Sequence, residues 1–267
     1  MKAVRATALA IGSFIALASF VGSMSPRFDY RRQDRDRISD GPSRDHWLGT
    51  DALGRDRLAR LLHGTRVSLV LAPMAAGLSL MLALVLGAAP GFVGGVSERA
   101  AKFVIDLMLS VPWLFLLLMV RAMLPLNCSP TTSAVITFLM LGLLGWGLPA
   151  RILLARAQKL RQSDFVLLAR SNGVPPGRLL RIHVMPNLWP VLTAQFWIAV
   201  PVFILAEANL SLLGLGVQEP LPSLGSLLRE LETVLSLRTD ICSFAALFVL
   251  IVMVSSLQVA FLKREVS

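Results

Sequence analysis

The chain has 267 residues, of which 55% are hydrophobic and only 16% charged, with a mean hydropathy of +0.69. A soluble domain carries about 25% charged residues; the long unbroken apolar runs here exclude that class and leave an integral membrane protein. The formal net charge of +10 does not lead to nucleic acid: there is one Tyr and no basic platform interleaved with aromatics, and arginines in a membrane chain collect in loops, where they set topology and meet anionic lipid.

Six segments are long enough to cross a bilayer: Ala6–Met24, Val67–Ala89, Phe103–Leu124, Thr131–Leu154, Leu188–Leu213 and Ile241–Leu262. Each approaches or exceeds the ~20 residues that span a hydrocarbon core of ~30 Å as a helix. Helix is dictated because backbone N–H and C=O groups find no water in lipid. Gly77, Gly87, Gly142, Gly145 and Gly147 lie in or beside these spans, where small residues let helix backbones approach. The first segment follows Lys2 and Arg5 and precedes the small residues "GSMS", so a cleaved signal peptide is its rival reading. Its apolar run is longer than the 7–15 residues of a signal core, which favours a retained helix over residues 1–25.

Residues 26–64 form the next unit, a polar loop between the first two spans. It opens on "SPRFDYRRQDRDRISDGPSRD", in which arginines and aspartates alternate as on a solvated surface. In "HWLGTDALGRDRLARLLHGTRVSL", Thr50 or Asp51 suits a helix cap. Leu53, Leu58, Leu61 and Leu62 then recur near helical spacing among Arg55, Arg57 and Arg60, which predicts a short amphipathic helix at the interface. Residues 65–262 carry the remaining five spans, and residues 263–267 form a short tail.

The chemistry of the chain is sparse. None of the four lysines follows a glycine, so there is no Walker A loop to cradle phosphate. H-E-x-x-H and G-x-S-x-G are absent, the three histidines are scattered, and Cys128 and Cys242 stand in no metal-ligand spacing. The chain is read as a non-enzyme with no metal and no cofactor of its own. Charges inside spans are costly and often functional. Asp106 and Arg121 lie near the two ends of the third span, where the interface is within reach, and Glu207 and Asn209 lie deeper in the fifth. Asp106, Glu207 and Asn209 are candidates for a translocation path.

The stretch "LLARSNGVPPGRLLRIHVMPN", Leu167 to Asn187, departs from its greasy surroundings. Ser163-Asp164 suits the start of a short helix, and Gly173 its left-handed end. Pro175-Pro176 turns the chain, and "GRLLRIHVM" reads as a second short helix that ends where Pro186 opens the fifth span. Leu179, Leu180 and Ile182 provide apolar contacts, while Arg170, Arg178 and Arg181 provide charge. Two ordered helices at a sharp turn suit a docking element; a helix pair resting on lipid is the alternative.

This segment resembles the coupling loop of binding-protein-dependent ABC importers, in which E-A-A, a Gly four residues later and a closing H-x-x-P-N recur. Ala169, Arg170, Gly173, His183, Pro186 and Asn187 match. "HWLGTDALGRDRLARLLHGTRVSL", "FVIDLMLSVPW" with Asp106 and Pro112, and "AEANLSLLGLGVQEPLPSLGSLL" resemble, in order, the oligopeptide, dipeptide and nickel branch of the family, C-type subunit. The likeness runs from His46 to the sixth span. The chain departs at Leu167-Leu168, where the family has Glu-Ala, at Pro175-Pro176-Gly177, at Leu224 in place of Trp, and in its short C-terminus.

The resemblance implies an all-α integral membrane protein, a six-transmembrane-helix bundle with the type I ABC importer (MetI-like) permease fold and a coupling loop over residues 155–187. In that loop Ala169, Arg170, Gly173, Leu179, Leu180, His183, Pro186 and Asn187 would engage the ATPase. The chain would pair with a homologous permease subunit, forming half of the path. Two cytoplasmic ATPase subunits would bind the ATP and Mg, and an extracytoplasmic binding protein would deliver substrate. The expected substrate is a peptide, with nickel or another small solute as the alternative within the branch. An ion-coupled secondary transporter is the rival from another class, expected to show inverted repeats and paired intramembrane charges; a non-transport scaffold is the third. The implied site is the inner membrane with the N-terminus cytoplasmic and the loop of residues 26–64 extracytoplasmic. The basic residues divide evenly, thirteen of the 26 on each side, so orientation rests on the family and not on the positive-inside rule. In this topology Cys128 and Cys242 both lie toward the outer face, in an oxidising compartment that permits pairing but does not require it.

Overall fold

The computed structural model describes residues 2–124, 128–235 and 244–261. Among these the fold is all-α: the only β pairings are two isolated bridges, Gln33 with Arg55 and Thr50 with Asp56. The helices are α1 (Lys2–Ser23), α2 (Arg57–Ala83), α3 (Ala89–Val93), α4 (Gly95–Ser110), α5 (Trp113–Met123), α6 (Pro130–Leu144) and α7 (Gly147–Arg161). They continue with α8 (Asp164–Ser171), α9 (Pro176–Leu179), α10 (Met185–Leu212), α11 (Leu224–Leu235) and α12 (Ala245–Phe261). The chain divides into two compact units, one of residues 1–73, 121–138 and 200–267, the other of residues 74–120 and 139–199.

Three helical runs are long and apolar enough to cross a membrane: Arg57–Val93, Pro130–Arg161 and Gly177–Leu212. A fourth, α4 with α5, is bent by 80°. Shorter apolar stretches, Leu9–Ser23 and Ala245–Ser256, lie in α1 and α12. The expectation for Cys128 and Cys242 involves Cys242, which lies outside the described residues.

Three local expectations are corrected. The interfacial helix does not exist as a separate element. Asp56, not Thr50 or Asp51, caps the helix: its Oδ1 accepts from the amides of Leu58 (2.8 Å) and Ala59 (3.1 Å). From Arg57 the helix runs on without interruption, because nothing between Leu62 and Val67 stops it; a lone Gly64 only lowers helix propensity. At 37 residues the run to Val93 is about 55 Å long, so its first turns stand clear of a ~30 Å core.

The third span is not one helix. Val111 is extended (φ −91°, ψ 128°) because Pro112 disfavours helical geometry in the residue before it. Finally, the second loop helix does not end at Pro186. A π turn over Leu180–Val184 joins α9 to α10, the amide of Met185 reaching back to the carbonyl of Leu180. Proline lacks an N–H and crowds the carbonyl four residues earlier; widening the preceding turn removes the conflict without stopping the helix. The same solution precedes Pro90, where a π turn over Leu84–Ala88 joins α2 to α3.

The unit of residues 74–120 and 139–199 is built on one apolar core that includes Leu80, Phe92, Ile105, Trp146, Leu153, Val166, Leu179, Val184 and Leu188. Helix α7 lies close along α3 and the π turn before it. Gly87 and Gly91 allow this: a side chain there would collide with the backbone of Ala150 and Leu154, a small-residue contact at the spacing membrane helices favour. Glu98 ties α4 to α7, accepting from Gln158 Nε2 (2.6 Å) and pairing with Arg161 (3.0 Å). In the other unit α1 packs on α12. There α11 is amphipathic, with Leu224, Leu227 and Leu228 buried at helical spacing.

Candidate functional site

Two sites stand out, one in each unit. The first is the segment from Ser163 to Asn187. Ser163 precedes α8 in extended geometry (ψ 146°), as a helix-capping residue does, but its hydroxyl donates to Leu160 O (2.6 Å) instead of capping. At the other end the amide of Gly173 bonds Arg170 O (3.1 Å) and that of Val174 bonds Ala169 O (3.2 Å), the paired bonds of a Schellman ending. Gly173 has φ +76°, the conformation an L side chain adopts at a cost and Gly adopts freely. The left-handed end expected at Gly173 is therefore present.

The residues of this segment divide by burial. Leu179 is 1% exposed and sits in the core, while Ala169 and Leu180 pack partly against that core. Leu179 thus holds the second helix in place and offers nothing to a partner. The apolar surface on offer is Phe165, Leu167, Leu168 and Ile182, all exposed, with Arg170, Arg178 and Arg181 exposed among them. Sequence reasoning listed Leu167-Leu168 only as a departure from the family pattern. Their exposure, Leu168 at 64%, makes them part of the surface. His183 is half-buried, its ring 6.5 Å from that of Phe165 across the turn. Pro186 and Asn187 are exposed, and Asn187 Nδ2 donates to His183 O (2.7 Å).

The second site lies in the unit of residues 1–73, 121–138 and 200–267, and sequence reasoning missed it. Residues 29–56 are not a free solvated loop. Asp34 N donates to Gly54 O (2.8 Å), Ser39 N to Asp51 O (3.0 Å), and Thr50 Oγ1 to Arg37 O (2.5 Å). Under this folded cap, Asp51 accepts from Arg55 Nε (2.6 Å) and Arg60 Nη1 (2.5 Å). Arg55 reaches Glu219 (3.0 Å) and Arg60 bonds Glu230. Arg60 is fully buried. Burial alone would push Asp51 and Glu219 up, but the arginine hydrogen bonds and charges hold both carboxyls below the usual carboxylate range. For Glu230 burial dominates, and its carboxyl is pushed up despite Arg60. The cluster binds the "GTDALGRDRLAR" stretch to the "GLGVQEP" stretch and α11. The usable signal was Asp51 and Arg55 four apart, between two glycines and among leucines.

Glu207 is fully buried. It accepts from Ser211 Oγ and Ser223 Oγ (both 2.7 Å) and from Gly225 N (3.3 Å), an arrangement that fastens α10 to the start of α11. Asn209, two residues on, is exposed, so the two do not converge. Asp106 is exposed and ion-paired with Arg151 of α7.

Comparison with known proteins follows the same lines. Residues 61–265 match the family described as binding-protein-dependent transport system inner membrane component. The oligopeptide transport system permease protein OppC of Mycobacterium bovis is 34% identical over 232 residues, 85% of this chain and 77% of that protein. The dipeptide transport system permease protein DppC of Bacillus subtilis is 30% identical over 224 residues, 84% of this chain and 68% of its own length. The glutathione transport system permease protein GsiD of Pectobacterium atrosepticum is 30% identical over 246 residues, 90% and 79%.

Proposed function

Because this chain belongs to the family of inner membrane components of binding-protein-dependent transport systems, we propose that it is the permease subunit of an ABC importer for short peptides, coupled to its ATPase through residues 163–187. With the family shown, the ion-coupled alternative falls away. The peptide reading is supported by relatives that are oligopeptide, dipeptide and glutathione permeases.

The observation that carries the coupling assignment is the build of the loop. Its turn is closed by hydrogen bonds, and it carries exposed Phe165, Leu168 and Ile182 beside exposed arginines. A rigid apolar patch with an arginine rim suits docking into a cleft on another protein. From Gly177 the backbone continues as one helix to Leu212, so a push at Ile182 enters the helix read here as the fifth crossing. A pair of ATPases closing on ATP would supply that push. The second permease would complete the path, and a binding protein would load it from outside.

In this reading α1, the 57–93 run, the bent α4–α5 pair, the 130–161 run, the 177–212 run and α12 make the six crossings. The N-terminus and the coupling loop face the cytoplasm. The test is co-purification of the chain with ATPase subunits, followed by uptake of labelled tripeptide into proteoliposomes holding the complete transporter. Reporter fusions at Arg37 and Gly177 are expected on opposite sides. Absence of any ATPase partner, or both fusions on one side, overturns the assignment.

A further inference from the structure

The loop between α7 and α10 carries charge that its own unit does not balance. Arg156, Lys159, Arg170, Arg178 and Arg181 are all exposed, and none has an ion pair among the described residues. By contrast Lys102 and Arg161 pair with Glu98, and Arg151 pairs with Asp106. Between Arg151 and Asn187 the only carboxylate is Asp164. It lies in the first turn of α8, where a helix N-terminus favours negative charge. The loop thus presents five cations and one carboxylate together with the exposed side chains of Phe165, Leu168 and Ile182.

Basic loops beside a membrane ordinarily answer to anionic lipid, and distance decides against that here. The apolar run of the fifth crossing starts at Leu188, and Trp189 is 63% exposed, an aromatic at the level where Trp marks the headgroups. Arg178 precedes it on the same helical run, Gly177–Leu212, by about 16 Å along the axis at about 1.5 Å per residue. The attraction of an anionic leaflet fades within a Debye length, about 8 Å at physiological salt. Side chains on a helix also lean toward its N-terminus, which for Arg178 and Arg181 is the direction away from the lipid. Charge held about two Debye lengths out does little for the membrane and is well placed to meet a protein.

We propose that the ATPase surface receiving this loop is acidic at its rim: an apolar cleft for Phe165, Leu168 and Ile182, flanked by Asp or Glu carboxylates that meet Arg178 and Arg181. This rests on the coupling reading of the previous subsection and adds the chemistry of the partner to it. In a rim open to water such pairs add little affinity, but they speed association and reject a wrong partner. An ATPase with a basic rim is turned away by like charge, so the arginines select which ATPase this permease accepts.

The experiment uses the full chain with its permease partner in detergent, and the ATPase subunits that co-purify with them. Association of those ATPases is timed between about 0.1 M and about 1 M salt, over which the Debye length falls from about 10 Å to about 3 Å. The wild-type rate is expected to fall about tenfold. Arg178→Glu with Arg181→Glu breaks no ion pair among the described residues. It is expected to associate about tenfold more slowly at low salt and to lose or invert the salt dependence. Arg178→Lys with Arg181→Lys is expected to keep the wild-type behaviour, and it also carries the direct test. A water-soluble carbodiimide, which joins an amine to a carboxylate, is expected to link positions 178 and 181 of this variant to Asp or Glu of the ATPase, and to make no such link in the wild-type chain. Association insensitive to salt and to charge reversal, or the absence of links from both positions, overturns the acidic rim and leaves the coupling reading standing. Failure of any ATPase to co-purify with the wild-type chain sinks the coupling reading, and the rim with it. Lipid is the remaining outcome. If the thiol of Arg178→Cys, without ATPase, is shielded from a soluble maleimide in phosphatidylglycerol nanodiscs but not in phosphatidylcholine nanodiscs, the arginines serve the membrane and the proposal is overturned.

Discussion

Gly173 is the position at which the coupling assignment is most exposed to test. A Cβ built there meets nothing within 4 Å, so a substitution creates no clash and its whole effect comes from the backbone. At φ +76° an L residue costs about 1–2 kcal/mol over Gly. That cost falls on the two hydrogen bonds that close the turn, Gly173 N to Arg170 O and Val174 N to Ala169 O. A shift of this size raises the open fraction of the turn by a factor of about 5–30. The expected order of disruption is Gly173→Asn, then Ala, then Val, because Asn tolerates left-handed geometry and a β-branched side chain does not.

Two measurements follow. Amide exchange at Val174 is expected to accelerate in that order. Stimulation of ATP hydrolysis by loaded binding protein is expected to decline in the same order, with insertion and pairing of the permeases unchanged. Were Gly173→Val to keep wild-type stimulation and uptake while exchange at Val174 rose, the turn would be irrelevant to coupling. A helix pair resting on lipid has that outcome.

Other consequences are simpler to state. Leu168→Asp, at an exposed site, is expected to weaken retention of the ATPase on a column without altering the thermal stability of the permease, whereas Leu179→Ala, in the core, costs about 2–5 kcal/mol of stability; the reverse pattern would reassign the docking face. Arg60→Met removes one of the two guanidiniums on the buried carboxylate of Asp51, leaving Arg55, and is expected to cost about 1–3 kcal/mol, read as a lower unfolding midpoint. The acid response of the cluster has two signs. Glu230 is held above the usual carboxylate range, so on mild acidification the folded state takes up its proton before the unfolded chain does, and stability holds or rises. Asp51 and Glu219 are held below that range, so their contribution is complete above it and is lost as pH falls below about 4. Thermal scans from pH 7 to pH 3 are expected to show a plateau followed by a fall, with Glu230→Gln removing any rise; a steady decline beginning at pH 6 would contradict the assignment of these shifts.

Sequence alone was enough for the class of protein and for the left-handed turn at Gly173. Both are local properties: lipid solvation reads apolar length residue by residue, and a helix that must stop at Gly173 announces it with Gly and a following Pro-Pro. The same local logic misplaced helix boundaries at Pro186 and Leu62. Proline signals a conflict but not its resolution, and here a π turn over Leu180–Val184 absorbs it. The break at Pro112 was equally open to either outcome.

The division of labour within the loop needed the tertiary structure. Leu179 and Ile182 are both apolar residues on one short helix, and only the core that forms around Val166, Leu179 and Val184 decides which of them is left for a partner. The charge cluster needed it most. Asp51 and Glu219 are 168 positions apart in the chain, and in the sequence the arginines and aspartates of residues 27–60 look like a solvated loop. Whether an Arg is solvated or buried against a carboxylate depends on what the fold brings to it. For Arg60 that partner comes from α11, an element that lies beyond every span but the last.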